Sequence, residues 1–155
     1  MKSLISFLAI VFLSVSVAQA REVAITMNKV NATGIGNAIG VVVITETESG
    51  LRLTPFLHGM PAGNYTFTIN ETLSCQSAIS KAGIPMPAMA AGKSLWRLPD
   101  MKVSAGMDRF EPMTLSEVSF NDISRRSIVI SKRADSTLGY TFGGERVACG
   151  SLEQY

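Results

Sequence analysis

The sequence predicts an antiparallel β sandwich or barrel of about eight strands, and three observations predict it. Apolar and polar residues alternate wherever the chain shows a period. Glycine-bearing turns separate these stretches at regular intervals. No strong helical segment interrupts them, although Ser77 to Ala82 leaves room for a short helical turn.

Taken in order, Val23–Met27, Leu51–Phe56 and Tyr65–Ile69 place an apolar residue at every second position, the mark of a strand with one face buried. Ile39–Thr45 and Ser127–Ser131 are richer in β-branched residues, which suit a pleated, well-covered surface. Asp100–Ala105 and Pro112–Ser119 are weaker strands, and Arg146–Cys149 is a short final one. Turns fall at Asn31–Asn37, at Glu48-Ser49-Gly50 and at Gly59–Gly63. Two stretches fit no strand: Gln76–Pro99, rich in Ala, Pro, Met and Gly, and the polar Lys132–Gly144. Surface loops of that length are usually functional or descended from functional ones.

Residues 1–20 read as a secretory signal peptide. Lys2 gives a basic start, an apolar run extends from Leu4 to Val17, and Ala18-Gln19-Ala20 is a small-x-small cleavage pattern. An uncleaved membrane tether is the alternative, but the apolar run is short for a span. Residues 21–155 then form a single domain, a length that supports a real core. Removing Lys2 leaves 13 basic against 12 acidic residues, a balance that predicts neither nucleic-acid binding nor membrane attraction. Cys75 and Cys149 are the only cysteines, and export to an oxidising compartment favours one disulfide over two free buried thiols.

Several segments, in order, resemble the bacterial periplasmic Cu/Zn superoxide dismutase family: Gly34–Gly40 followed by Val41–Glu46, Leu53-Thr54-Pro55, Gly59–Gly63, Ser74-Cys75, Ala88–Gly92, Leu98-Pro99, Arg126–Ile130 and Gly143–Gly150. Each is weak alone; their collinear order across residues 21–155 carries the resemblance. It implies an eight-stranded antiparallel Greek-key β-barrel, a sandwich architecture, with Cys75 and Cys149 at the family's disulfide positions.

The family binds copper through histidines, one of which bridges to zinc, and imidazole suits both metals. At the copper-ligand positions that the resemblance assigns, this chain has Thr68, Asn70 and Ser131. Lys93, Ser94, Leu95 and Trp96 stand where the bridging histidine is due, and Arg97 where the zinc aspartate would precede Leu98-Pro99. The zinc-binding loop is largely deleted between Gly92 and Leu98. The whole chain contains one histidine, His58, too few for the family's copper site under any alignment. His58 reads as a turn residue, the alternative being a pH-sensitive or single-ligand role.

Arg146 matches the arginine that guides superoxide to copper in active relatives. Here it either bonds backbone carbonyls or an acidic group near the disulfide, or lines an anion pocket with Lys132 and Arg133. Met86 and Met89, with Met101, Met107 and Met113 further on, offer thioethers suited to Cu(I), although methionine more often fills cores and interfaces. No nucleophile system or phosphate loop assembles. Glu46, Glu48, Glu71 and Asp135 are carboxylates with no sequence reason to meet.

The expectation is a pseudoenzyme rather than an enzyme, with no metal and no cofactor, periplasmic or secreted, acting as a binding or structural module. Its surfaces would be the old active-site face and the Met-rich segment around Trp96. The partner would be an unidentified protein or a small anion, with a homodimer also open, and neither nucleic acid nor membrane after signal cleavage. The alternative is residual dismutation, or a periplasmic copper-binding protein using a non-standard site.

Overall fold

Ten-residue and longer strands at the N-terminus set the frame: β1 (Glu22–Asn31) turns at Ala32-Thr33 into β2 (Gly34–Thr47). The side chain of Asn31 makes that turn tight, its Oδ1 accepting from the Thr33 amide at 2.8 Å and from the Thr33 hydroxyl at 2.6 Å. The turn expected over Asn31–Asn37 is therefore confined to two residues, and β2 begins earlier than the alternation suggests. The computed structural model describes residues 20–106, 110–133 and 144–153; the signal peptide expected over residues 1–20 lies, apart from Ala20, outside them.

From β2 the chain continues through β3 (Gly50–Leu57) and β4 (Gly63–Asn70). It then makes a minute pair, β5 (Ala78–Ile79) with β6 (Pro85–Met86), and a 3-10 turn at Met89–Ala91. Next come β7 (Ser94–Arg97), β8 (Met101–Val103), β9 (Met113–Ser116), the one-turn helix α1 (Phe120–Ile123), β10 (Arg126–Lys132) and β11 (Glu145–Leu152). The helical turn expected near Ser77 is absent: β5 and a turn closed by Gly83 N–H to Ser80 O occupy that stretch.

The main sheet runs β7-β4-β10-β11-β1-β2-β3-β9, with β8 also paired to β4, and every pairing is antiparallel. β7 lies along the Thr68–Asn70 end of β4 and β8 along its Gly63–Tyr65 end. They are two pieces of one edge strand broken at Leu98–Asp100, and counted so the sheet has the eight strands that the sequence predicts. Residues 58–62 carry the chain from β3 across to β4, which is not its sheet neighbour, and the segment holding α1 returns it from β9 to β10. The result is a sheet curled around its own apolar face.

That face holds Ile25 and Met27 of β1, Val42 and Ile44 of β2, Leu51 and Leu53 of β3, Phe67 and Ile69 of β4, and Ile128 and Ile130 of β10. Alternation decides it, since residues two apart share a face. Tyr65 joins them, with its hydroxyl donating to Pro61 O at 2.7 Å while burial raises its pKa. In β10 the alternation disappears: Ser127, Ile128, Val129 and Ile130 are all buried. The second cover is the segment from Cys75 to Gly92, which packs on the sheet's outer side, where Val30, Cys75, Ala88, Ala91, Val129 and Cys149 form a small core of their own.

Candidate functional site

The outer face of β4 and β10 under that covering segment is where the sequence places its candidate residues. Thr68 and Asn70 point outward from β4, opposite in parity to Phe67 and Ile69. An outward Asn would normally meet water. Asn70 is only 1% exposed because the turn at Met89–Gly92 lies over it.

Burial obliges its amide to find partners, and it finds them at both ends. Asn70 Oδ1 accepts from the Thr68 hydroxyl at 2.7 Å, and Asn70 Nδ2 donates to Gly92 O at 3.0 Å. The same Gly92 carbonyl accepts from Arg146 Nη2 at 2.9 Å, while Arg146 Nη1 donates to Ala88 O at 2.6 Å. Thr68, Asn70, Gly92 and Arg146 thus form one chain of hydrogen bonds that holds the 3-10 turn to the barrel from both sides. Partial burial lowers the Arg146 pKa, though a guanidinium stays charged.

Gly92 is required by this arrangement. Its φ is +79°, and a Cβ there would lie 2.8 Å from Glu71 Oε2. That carboxylate oxygen already accepts from the Lys93 amide at 3.0 Å. Thr72 ties the same stretch down, donating from its hydroxyl to Ala90 O at 2.6 Å. Three residues after Thr72, Cys75 forms the disulfide with Cys149, their Cα atoms 5.7 Å apart.

Arg97, Arg133, Lys132 and Trp96 do not join Arg146. Arg97 and Arg133 both pair with Asp100, Arg97 at 2.8 Å, and the Thr66 hydroxyl donates to the same carboxylate at 3.1 Å. Arg97 foremost, then Thr66 and Arg133, hold the Asp100 carboxyl below its usual range. Ser131 sits opposite Thr66 and Arg146 in the sheet, and Lys132 opposite Tyr65 and Glu145. Trp96 is half-buried in β7 against the core instead of standing free in a loop.

His58 is exposed in the turn after β3, its amide donating to Ile39 O at 2.8 Å. Asp100 and Thr66 are site residues that the sequence reading missed. They are 34 positions apart, and no local signal links them. Glu46 and Glu48 line, together with Glu117 and Asp122, an open groove of about 590 Å³ at the far end of β2. Glu71 lies away from it, and Asp135, Met107 and most of the polar segment Lys132–Gly144 lie outside the described residues. Met101 and Met113 are core residues, leaving Met86 and Met89 on the surface.

Comparison with known proteins gives the lineage. The chain is 32% identical to the protein named superoxide dismutase [Cu-Zn] 2 of Salmonella typhimurium, over 96% of this chain and 98% of that protein. The chain belongs to the Cu/Zn superoxide dismutase family. It is also 30% identical to superoxide dismutase [Cu-Zn] of Escherichia coli K12, over 88% of this chain. Among solved structures it resembles the monomeric Cu,Zn superoxide dismutase of Salmonella enterica at a TM-score of 0.72 and 32% identity, and the Brucella abortus Cu/Zn superoxide dismutase at 0.74 and 25% identity; each covers 86% of this chain. No protein-family model matches.

These relatives overturn the expectation that the chain is not an enzyme: they are named as superoxide dismutases, and the family is an enzymatic one. That expectation rested on the substituted ligand positions, the shortened zinc-binding loop and the single histidine, and such an argument does not reach activity carried by other residues. Among the described residues no three histidine, cysteine, aspartate or glutamate side chains gather as a metal site, which does not itself decide the activity. At the ligand positions of the Cu/Zn superoxide dismutase resemblance stand two hydroxyls, an amide and a guanidinium, a set that does not fit imidazole-bound copper.

Proposed function

We propose that this chain is an exported, periplasmic member of the Cu/Zn superoxide dismutase family that serves as a binding or structural module. In this reading the family's metal-ligand positions have been rebuilt as a hydrogen-bonded latch. The observation that carries the reading is Asn70, which the family resemblance assigns to a copper-ligand position: it is buried, with both ends of its amide committed to Thr68 and Gly92. An amide held so does not turn toward a metal without leaving Gly92 O to Arg146 alone. A protein partner suits the surface better than a small anion. Both terminal nitrogens of Arg146 already serve carbonyls, and Arg97 and Arg133 share the Asp100 carboxylate.

The second reading is dismutation, or copper binding through a non-standard site, and family membership favours it. Elemental analysis of the chain purified from periplasm, coupled to a superoxide dismutase assay, separates the two. Sub-stoichiometric copper and zinc support the module. Stoichiometric copper with turnover replaces it with the enzyme.

A further inference from the structure

The six methionines among the described residues divide sharply. Met27, Met60, Met101 and Met113 are at most 8% exposed in the barrel core. Met86 is 45% and Met89 37% exposed, and the two stand three residues apart on the covering segment. Ile79 at 64% and Ile84 at 57% stand on the same segment, so the two exposed methionines belong to an apolar stretch of surface.

We propose that Met86 and Met89 are a paired site of reversible oxidation by hydroperoxides. Thioether oxidation follows access to the sulfur, and a sulfoxide turns a flexible apolar side chain into a polar one. The sulfur lone pair attacks one oxygen of hydrogen peroxide; the O–O bond breaks, an S–O bond forms, and the proton of the transferred oxygen passes to the departing hydroxide, which leaves as water. Sulfur is oxidised by two electrons and the peroxide is reduced by two. No metal takes part, so the inference is independent of how the copper question is answered.

The fold makes the change local. Ala88 O and Gly92 O, which flank the turn carrying Met89, are held by Arg146, and Ala91 fills the inner side of that turn. A sulfoxide at Met89 therefore alters the outer surface while the latch beneath it stays closed. Two modifications within one short stretch would convert this apolar surface to a polar one.

The test treats the disulfide-bonded chain with hydrogen peroxide in the presence of a metal chelator and follows each methionine by peptide mass spectrometry. Met86 and Met89 should each gain one oxygen roughly tenfold faster, or more, than Met27, Met60, Met101 and Met113. Comparable rates, or earlier oxidation in the core, would overturn the assignment. Binding of a hydrophobic dye should fall on oxidation of the native chain, recover with methionine sulfoxide reductases, and stay constant in a Met86→Leu, Met89→Leu variant. Equal loss of dye binding in that variant would equally refute it, and an unchanged circular dichroism spectrum shows that the fold survived the treatment.

Discussion

Arg146 spends its charge on two backbone carbonyls, Ala88 O and Gly92 O, in place of a carboxylate. Its planar fork spans both acceptors at once, which an ammonium cannot reproduce. Replacing it with Ala should lower the unfolding free energy by about 2–3 kcal/mol, since bonds to charged donors are among the stronger ones and two acceptors lose them. Arg146→Lys should recover less than half of that loss. Denaturant titration of the two variants measures both values, and full rescue by Lys would show that charge alone matters. The sequence favours bonding to carbonyls or to an acidic group over the anion pocket, but it does not identify the carbonyls, because Gly92 lies 54 residues away from Arg146. Thr68 and Asn70 were legible as a pair, being two apart on one strand face. The burial of Asn70 was not, because the cover comes from a separate loop.

At the scale of elements, Asp100 sits at the break between β7 and β8 and fastens it to the end of β10 through Arg133, the residue that follows the strand, and to β4 through Thr66. Its carboxyl has a lowered pKa in the folded chain. A depressed folded pKa means that the contribution is present above the unfolded carboxylate range and is lost as pH falls through the folded value. The site is partly exposed, so the contribution is modest, below about 1 kcal/mol. Native and Asp100→Asn chains should differ in thermal stability at neutral pH and converge in acid; a difference that persists below the carboxylate range would mean that packing, not charge, sets it. The eight strands expected from alternation and β-branching all appear, some longer than their pattern. β7 was missed because Ser94-Leu95-Trp96-Arg97 has too few residues to display a period, and its existence depends on the edge that β4 offers.

Two cores, one inside the curled sheet and one beneath the covering segment, lie on opposite faces of β10 and β11. The disulfide joins the outer core to β11 across a sequence separation of 74 residues. In the chain-entropy account, closing a loop of that size contributes on the order of 4 kcal/mol. Reduction should therefore lower the thermal midpoint markedly, and amide exchange should quicken over residues 75–92 before it does in β1 to β3. Uniform acceleration would show that the outer core has no separate stability. Two cysteines behind an expected export signal made this bond readable beforehand, whereas its role as anchor of a second core depends on packing that no local pattern encodes.

Asn28 of β1 pairs with Cys149 of β11, so the first strand finds one of its two neighbours only in the last. A growing chain holds β1 early and must wait through nearly its whole synthesis for that partner. Until then Cys75 has no Cys149 to meet, and the outward face of β10 has no complete cover. Every C-terminal truncation that ends between Cys75 and Glu145 consequently lacks the strand that pairs with both β1 and β10 and carries a thiol without its partner.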